Sequence, residues 1–343
     1  MKVFIFASAL SLVGSCAAER YSDRIQNLKE GIVFNDKQQI STYANTITAN
    51  ELKDEVYYFS SDEFQGRKTG ELGYDKASKY LKDYYEKESI ASPLGKDYYQ
   101  NIPESFFFNN KGNSQNILSY IKGTEFPEEV VIISAHVDHL GTKNNMIYNG
   151  ADDNGSGTAA VMEIAQAFKM AEQDGYAPKR SILFLHLTGE EEGLEGSRYY
   201  VSHPVFSLVN TIANLNIDMI GRVDEIHKDN SDYIYLIGSD RLSTELHYIS
   251  EAANNEFAQL NLDYIYNDEN DANSFYSRSD QYNFAEKNIP IIFYFSGVHD
   301  DYHQPTDTAE KLNYPLLEKR ARLIFTTAWY LANLEKRITI DKQ

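Results

Sequence analysis

The chain has 343 residues, 42% of them hydrophobic and 24% charged, a composition that folds and leaves little room for extended disorder. Its 51 acidic against 32 basic residues give a net charge of −19, a field that repels nucleic acid and anionic lipid surfaces and disfavours both as partners. The length admits one large α/β core or two smaller ones.

In chain order, Lys2 precedes an apolar run from Val3 to Val13, too short to span a bilayer, which reads as a secretory leader. Val13-Gly14-Ser15-Cys16 resembles a bacterial lipobox, in which the cysteine is acylated and becomes the new N-terminus; cleavage nearby with loss of Cys16 is the alternative. The expectation is an exported protein, periplasmic or anchored to the outer membrane through Cys16, otherwise secreted. Cys16 is the only cysteine, so no internal disulfide is possible. Residues 1–16 are assigned to the leader, 17–45 to a polar tether and N-terminal segment, and 46–343 to one domain.

Lys76 to Ser89 places Ala77, Tyr80, Leu81 and Tyr84 at helical spacing. Beyond it, apolar runs of strand length (Ile117–Ile121, Val130–Ala135, Ile182–Leu187, Ile212–Ile217, Tyr233–Ile237, Ile289–Phe295) alternate with helical patterns after Gly157, from Arg241 to Phe257 and from Leu316 to Leu334. Strands apolar on both faces, alternating with helices, predict an α/β fold: a three-layer α/β/α sandwich around a twisted, mostly parallel mixed sheet. Reactive groups of such folds gather at the carboxyl ends of the strands.

The polar clusters fall there. Val130–Ala135 runs into "HVDHLG", where His136 and Asp138, two apart on extended backbone, share a face. "NGADDNGSGTAAVMEIA" puts Asp152 and Asp153 in a glycine-rich turn that opens a helix; capping is the plain explanation, and a bridging metal carboxylate the functional one. "LTGEEEGLEGSRYY" ends a strand in Glu190, Glu191 and Glu192, whose mutual repulsion a cation would relieve. "NLNIDMIGR" carries Asp218 among apolar neighbours that predict burial, and "HDDYHQPTDT" follows the last strand with His303 and Asp307. A mixed imidazole and carboxylate set at several strand ends points to a zinc-type centre rather than magnesium.

These five segments, in order and spacing, resemble the co-catalytic zinc aminopeptidases whose relatives include glutamate carboxypeptidase and glutaminyl cyclase, and "SSDEFQGRKTGELGYDKASKYL" resembles the N-terminal segment of bacterial members. The resemblance spans roughly residues 50 to 335 and makes 46–343 a zinc exopeptidase catalytic domain. It implies two zinc ions: His136 and Asp218 on one, Glu191 and His303 on the other, with Asp153 bridging. It also implies Glu190 as general base, Asp138 as the residue orienting His136, Tyr302 as an oxyanion donor, and a cis peptide between Asp153 and Asn154. The implied substrate is a peptide with a free N-terminus. Gln281 stands where many relatives carry histidine, which leaves the role of that loop open. His139 and His299 fall near the site; His186, His203, His227 and His247 match no motif and read as structural.

Three rival functions share this fold. Glutaminyl cyclase-like acyl transfer would use one metal, and a carboxypeptidase would need a cation for the substrate carboxylate, with Arg67, Arg222 and Arg278 as candidates. A non-catalytic binding ectodomain would have lost the ligands.

Overall fold

The computed structural model describes residues 21–108 and 112–342; the leader and Cys16 lie outside them. The elements in order are α1 (Tyr21–Gly31), α2 (Lys37–Ala44), α3 (Ala49–Phe59), α4 (Leu72–Lys87), β1 (Tyr99–Ile102), β2 (Ser114–Ile121), β3 (Phe126–His136), the short pair β4 (Gly141–Lys143) and β5 (Met146–Tyr148), and α5 (Gly157–Gln173). There follow β6 (Arg180–Leu187), α6 (Glu195–Ser202), β7 (Thr211–Ile217), β8 (Tyr233–Ile237), α7 (Thr244–Ala253), β9 (Asn261–Asp263), α8 (Gln281–Ala285), β10 (Ile291–Phe295) and α9 (Tyr314–Asn333).

Eight strands form one mixed sheet in the order β1-β2-β6-β3-β7-β10-β8-β9. Its centre, β6-β3-β7-β10, is parallel throughout. β2 and β8 flank that centre in the antiparallel sense. Both faces are covered. On β3, Val131, Ile133 and Ala135 pack into the larger apolar cluster, which includes residues of α2, α3, α4, α5, α7 and α9. Val130 and Ile132 point the other way, into a smaller cluster with Tyr200 of α6 and Phe284 of α8. That alternation of apolar side chains to two covered faces is what the continuous apolar runs encode, and it makes the three layers.

The polar stretch expected as a tether is corrected from residue 21 onward: it forms α1 and α2. The composition misleads because α2 hides few residues, Ile40, Tyr43 and Ala44, while its outer face is polar. These side chains join the main cluster, and the Tyr43 ring stacks 5.8 Å from Trp329 of α9. Among the described residues no helix is long and apolar enough to cross a membrane.

Because β6, β3, β7 and β10 run the same way, their carboxyl ends open on one edge. The chain leaves β3 for β6 on one side and returns through α6 to β7 on the other, so β3 sits at the point where the strand order reverses. Every acidic or histidine motif of the sequence follows one of these four strands or the turn into α5.

Candidate metal centre

His136 is the last residue of β3 and is 1% exposed. Its Nε2 lies 3.3 Å from Asp153 Oδ1 and 3.3 Å from Asp218 Oδ1, while Nδ1 faces the Asp138 carbonyl oxygen at 3.0 Å. The histidine Nδ1 thus faces Asp138 twice, its carbonyl at hydrogen-bond distance and its carboxylate at 3.9 Å. The carboxylate also accepts the Thr69 hydroxyl at 3.0 Å and the backbone N–H groups of Glu190 and Glu191 at 3.2 and 3.3 Å, and so pins the glutamate turn. Burial, aided by Glu191, pushes its carboxyl up to about 6 against the pull of His136 and these donors.

Asp218 follows β7 and is anchored from behind: its Oδ2 accepts the Ser279 hydroxyl at 2.7 Å. Ser279 belongs to a buried polar chain. Asn216 Nδ2 donates to Ser279 Oγ at 3.0 Å and to Gln281 Oε1 at 2.9 Å, and the Ser134 hydroxyl donates to Asn216 Oδ1 at 2.8 Å. Gln281 therefore has a place: it braces the network under Asp218.

Asp153 joins two groups of donors. Its Oδ1 faces His136, and its Oδ2 lies 3.1 Å from His303 Nε2 and 3.7 Å from His139 Nδ1. The turn that carries it is held by Asp307, whose carboxylate accepts the N–H of Asp152 at 3.0 Å and of Asp153 at 3.1 Å. Asn154 ties the same turn to β7, donating to the Ile217 carbonyl at 2.9 Å and accepting from Met219 N at 3.2 Å. The Asp153–Asn154 peptide bond is cis.

Glu191 completes the second group, with Oε2 3.1 Å from His303 Nε2 and Oε1 2.8 Å from His139 Nδ1. His303 sits at φ +57° in the loop after β10, its side chain 35% exposed. Glu190 lines a small recess beside both groups, together with Asp153, Asp218, Met219, Phe275, Arg278, Phe293, Phe295, Val298 and Tyr302. Tyr302 stacks on His303 with ring centroids 3.9 Å apart, and its hydroxyl takes a long contact of 3.4 Å from Arg278. The structure thus places all eight sequence-derived site residues at one strand edge. The two groups His136, Asp153, Asp218 and His139, Asp153, Glu191 each converge closely enough to hold an ion.

So many acids at one spot need compensation. Burial pushes the Glu190 carboxyl well above the carboxylate range, with Asp218 and Glu191 adding to it in spite of His136. Burial would raise Asp153 too, but the imidazoles of His139, His136 and His303 hold it well below its usual value. Burial alone would lower His136; the Asp218 and Glu190 carboxylates override it and hold the imidazole well up. Bound divalent cations would take over this compensation, and the donor set fits them. Both ring nitrogens of His139 and Oε1 of Glu191 are buried without a hydrogen-bond partner, as atoms waiting on an ion would be. Imidazole mixed with carboxylate suits zinc.

Sequence reasoning missed Arg67, considered above only as a ligand for a substrate carboxylate. It is fully buried and donates to four carbonyls: Val137 at 2.8 Å, Phe59 at 3.0 Å, Asn149 at 2.6 Å and Gly150 at 2.8 Å. Val137 and Gly150 flank His136, Asp138 and Asp153, so one guanidinium fastens both loops. The strong "GRKTG" punctuation was its only local signal.

Against known proteins, the profile described as Peptidase family M28 matches residues 116–328, more than half of the chain. The chain is 27% identical over 239 residues to the aminopeptidase YwaD of Bacillus subtilis, covering 67% of this chain and 48% of the relative. It spans about half the length of that relative and of a probable zinc metalloprotease of Pyricularia oryzae, of which it covers 52%. Among solved structures, the LapA aminopeptidase of Legionella pneumophila superposes with a TM-score of 0.70 at 20% identity, over 89% of this chain and 77% of that one. A glutaminyl cyclase of Bacteroides thetaiotaomicron superposes with a TM-score of 0.62 at 15% identity, over 82% and 98%. These two likenesses establish the fold alone; the profile match establishes the lineage, and the chain belongs to Peptidase family M28.

Proposed function

We propose that this chain is a zinc-dependent aminopeptidase that hydrolyses the N-terminal residue from peptides at a two-metal centre. One observation carries the reading: the two oxygens of Asp153 face two separate donor groups, His136 with Asp218 and Glu191 with His303, directly beside Glu190.

His136, Asp153 and Asp218 would hold one ion, and Asp153, Glu191 and His303 the other. When bound, a zinc pair lowers the pKa of a water and polarises the scissile carbonyl. Glu190, at the wall of the recess, takes the proton of the attacking water and hands it to the departing amine. The Tyr302 hydroxyl, in the same recess, donates to the oxygen on which negative charge develops. Asp138 fixes the Glu190 backbone and keeps the base in register with the donors. Met219, Phe275, Phe293 and Phe295 present an apolar wall to the side chain of the N-terminal residue.

Arg278 gives the carboxypeptidase reading its one foothold. Arg67 is sealed against carbonyls, and Arg222 is bonded to Asp301 at 3.1 Å, which leaves Arg278 as the cation lining the recess. The test is mass spectrometry of matched peptides, each with a free and an acetylated amino end, incubated with zinc-loaded protein. Stepwise loss from free N-termini alone, falling about 10²- to 10⁴-fold in Glu190→Gln, is the expected outcome. Loss from the carboxyl end, cyclisation of N-terminal glutamine, or turnover untouched by Glu190→Gln would each overturn it. Export with a lipid anchor at Cys16 is proposed on the leader sequence alone; intact mass of the membrane-extracted protein, with or without acyl chains, decides it.

A further inference from the structure

The ligand set carried by the family resemblance leaves His139 out. We infer that His139, through Nδ1, is a protein ligand of the second metal position, alongside Glu191, Asp153 and His303.

The imidazole is 1% exposed, and neither ring nitrogen has a hydrogen-bond partner. Nδ1 lies 2.8 Å from Glu191 Oε1 and 3.7 Å from Asp153 Oδ2. The shorter contact is an ion-pair distance, and neither of its atoms is satisfied by a hydrogen bond. Two buried polar atoms this close, both without a hydrogen bond, fit a shared third partner. Donors about 2.1 Å from one ion and roughly 85–125° apart as seen from it are themselves roughly 2.8–3.7 Å apart, a span that both distances of His139 Nδ1 match.

The ring is also held in place. The backbone N–H of His139 donates to the Arg67 carbonyl at 3.2 Å. Gly150, at φ +55°, comes so close that a Cβ there would sit 2.5 Å from His139 Cγ. The His303 ring meets that of His139 edge-on at 5.8 Å. His139 would thus give the second position a buried nitrogen donor to complement His303, which is partly exposed.

The inference rests on the two-metal reading, and the test separates the two. Metal-free wild type, His139→Ala and His139→Asn are titrated with zinc against a chromophoric chelator. Wild type should take up two ions; both variants should keep the tighter step and weaken the other by about 100-fold, the upper range for disturbing a ligand's surroundings. If His139→Asn, whose amide nitrogen overlays Nδ1 as a hydrogen-bond donor, restores wild-type affinity, His139 only orients Glu191 and the inference fails. It fails as well if His139→Ala binds both ions like wild type. If wild type itself does not take up two ions, the two-metal reading falls first. Should the variants not fold, zinc-edge X-ray absorption of loaded wild type decides: three imidazoles shared by two ions support the inference, and two overturn it.

Discussion

The two halves of the centre are held in different ways. Around His136 and Asp218 every remote atom has a partner inside the protein: the Asp138 carbonyl behind His136, the Ser279 hydroxyl behind Asp218, and a chain of Asn216, Gln281 and Ser134 behind Ser279. Around Glu191 and His303 the supports are a turn and a loop, with His303 partly open to solvent and Glu191 Oε1 without a hydrogen bond. The first half is held by protein groups, whereas the second leaves Glu191 Oε1 and both ring nitrogens of His139 without a hydrogen bond. Since supports behind a ligand set metal affinity, the halves should bind with unequal strength.

Asp153→Asn attacks what they share. It should abolish the distinction by weakening both ions about 100-fold or more, read as loss of both zinc equivalents on gel filtration and near-complete loss of peptidase activity. If one ion stays tightly bound, Asp153 does not bridge. Arg67→Met strips the donor from four buried carbonyls and should lower unfolding stability by about 3 kcal/mol or more in urea. Because Arg67 fastens the loops of both halves, both zinc affinities should fall together; a fall confined to one half would show that the loops are independent. Ser279→Ala sharpens the contrast. It should loosen the His136–Asp218 ion by about tenfold and leave the other as it was, so that a chelator series no longer empties the second position first.

The smallest effect concerns a buried acid away from the centre. Glu163 of α5 is 3% exposed, and burial, with Glu51, Glu55 and Glu88 nearby, pushes its carboxyl up to about 8. A folded-state pKa raised above the unfolded one contributes stability below the unfolded value, and that stability is lost as pH rises through the folded value. The melting temperature of wild type should therefore decline from about pH 5 to about pH 9, and Glu163→Gln should flatten that decline. Equal slopes would mean that Glu163 is ionised in the fold. Asp153, equally buried but surrounded by imidazoles, is displaced the opposite way, so partners rather than depth decide the charge of a buried acid here.

The strands were legible because their apolar runs are local and face two covered sides, and the site was legible because each donor follows such a run within a few residues. Asp138 was found by its spacing from His136, yet only the folded turn shows its carboxylate also reaching the backbone of Glu190 and Glu191. Ser279 and Gln281 act on Asp218 from some 60 residues away, a distance at which no pattern in one sequence speaks. α1 and α2 were hidden because a helix that buries only a few residues has the composition of a linker. Arg67 escaped because a buried arginine bonded to carbonyls has no partner of opposite charge to look for.

That arginine also bears on what metal removal leaves behind. Its four carbonyl bonds come from the chain itself, so the loops bearing His136, Asp138 and Asp153 are fastened by protein groups alone. Apoprotein prepared with a chelator should therefore keep its fold, read by circular dichroism, and take zinc back without refolding.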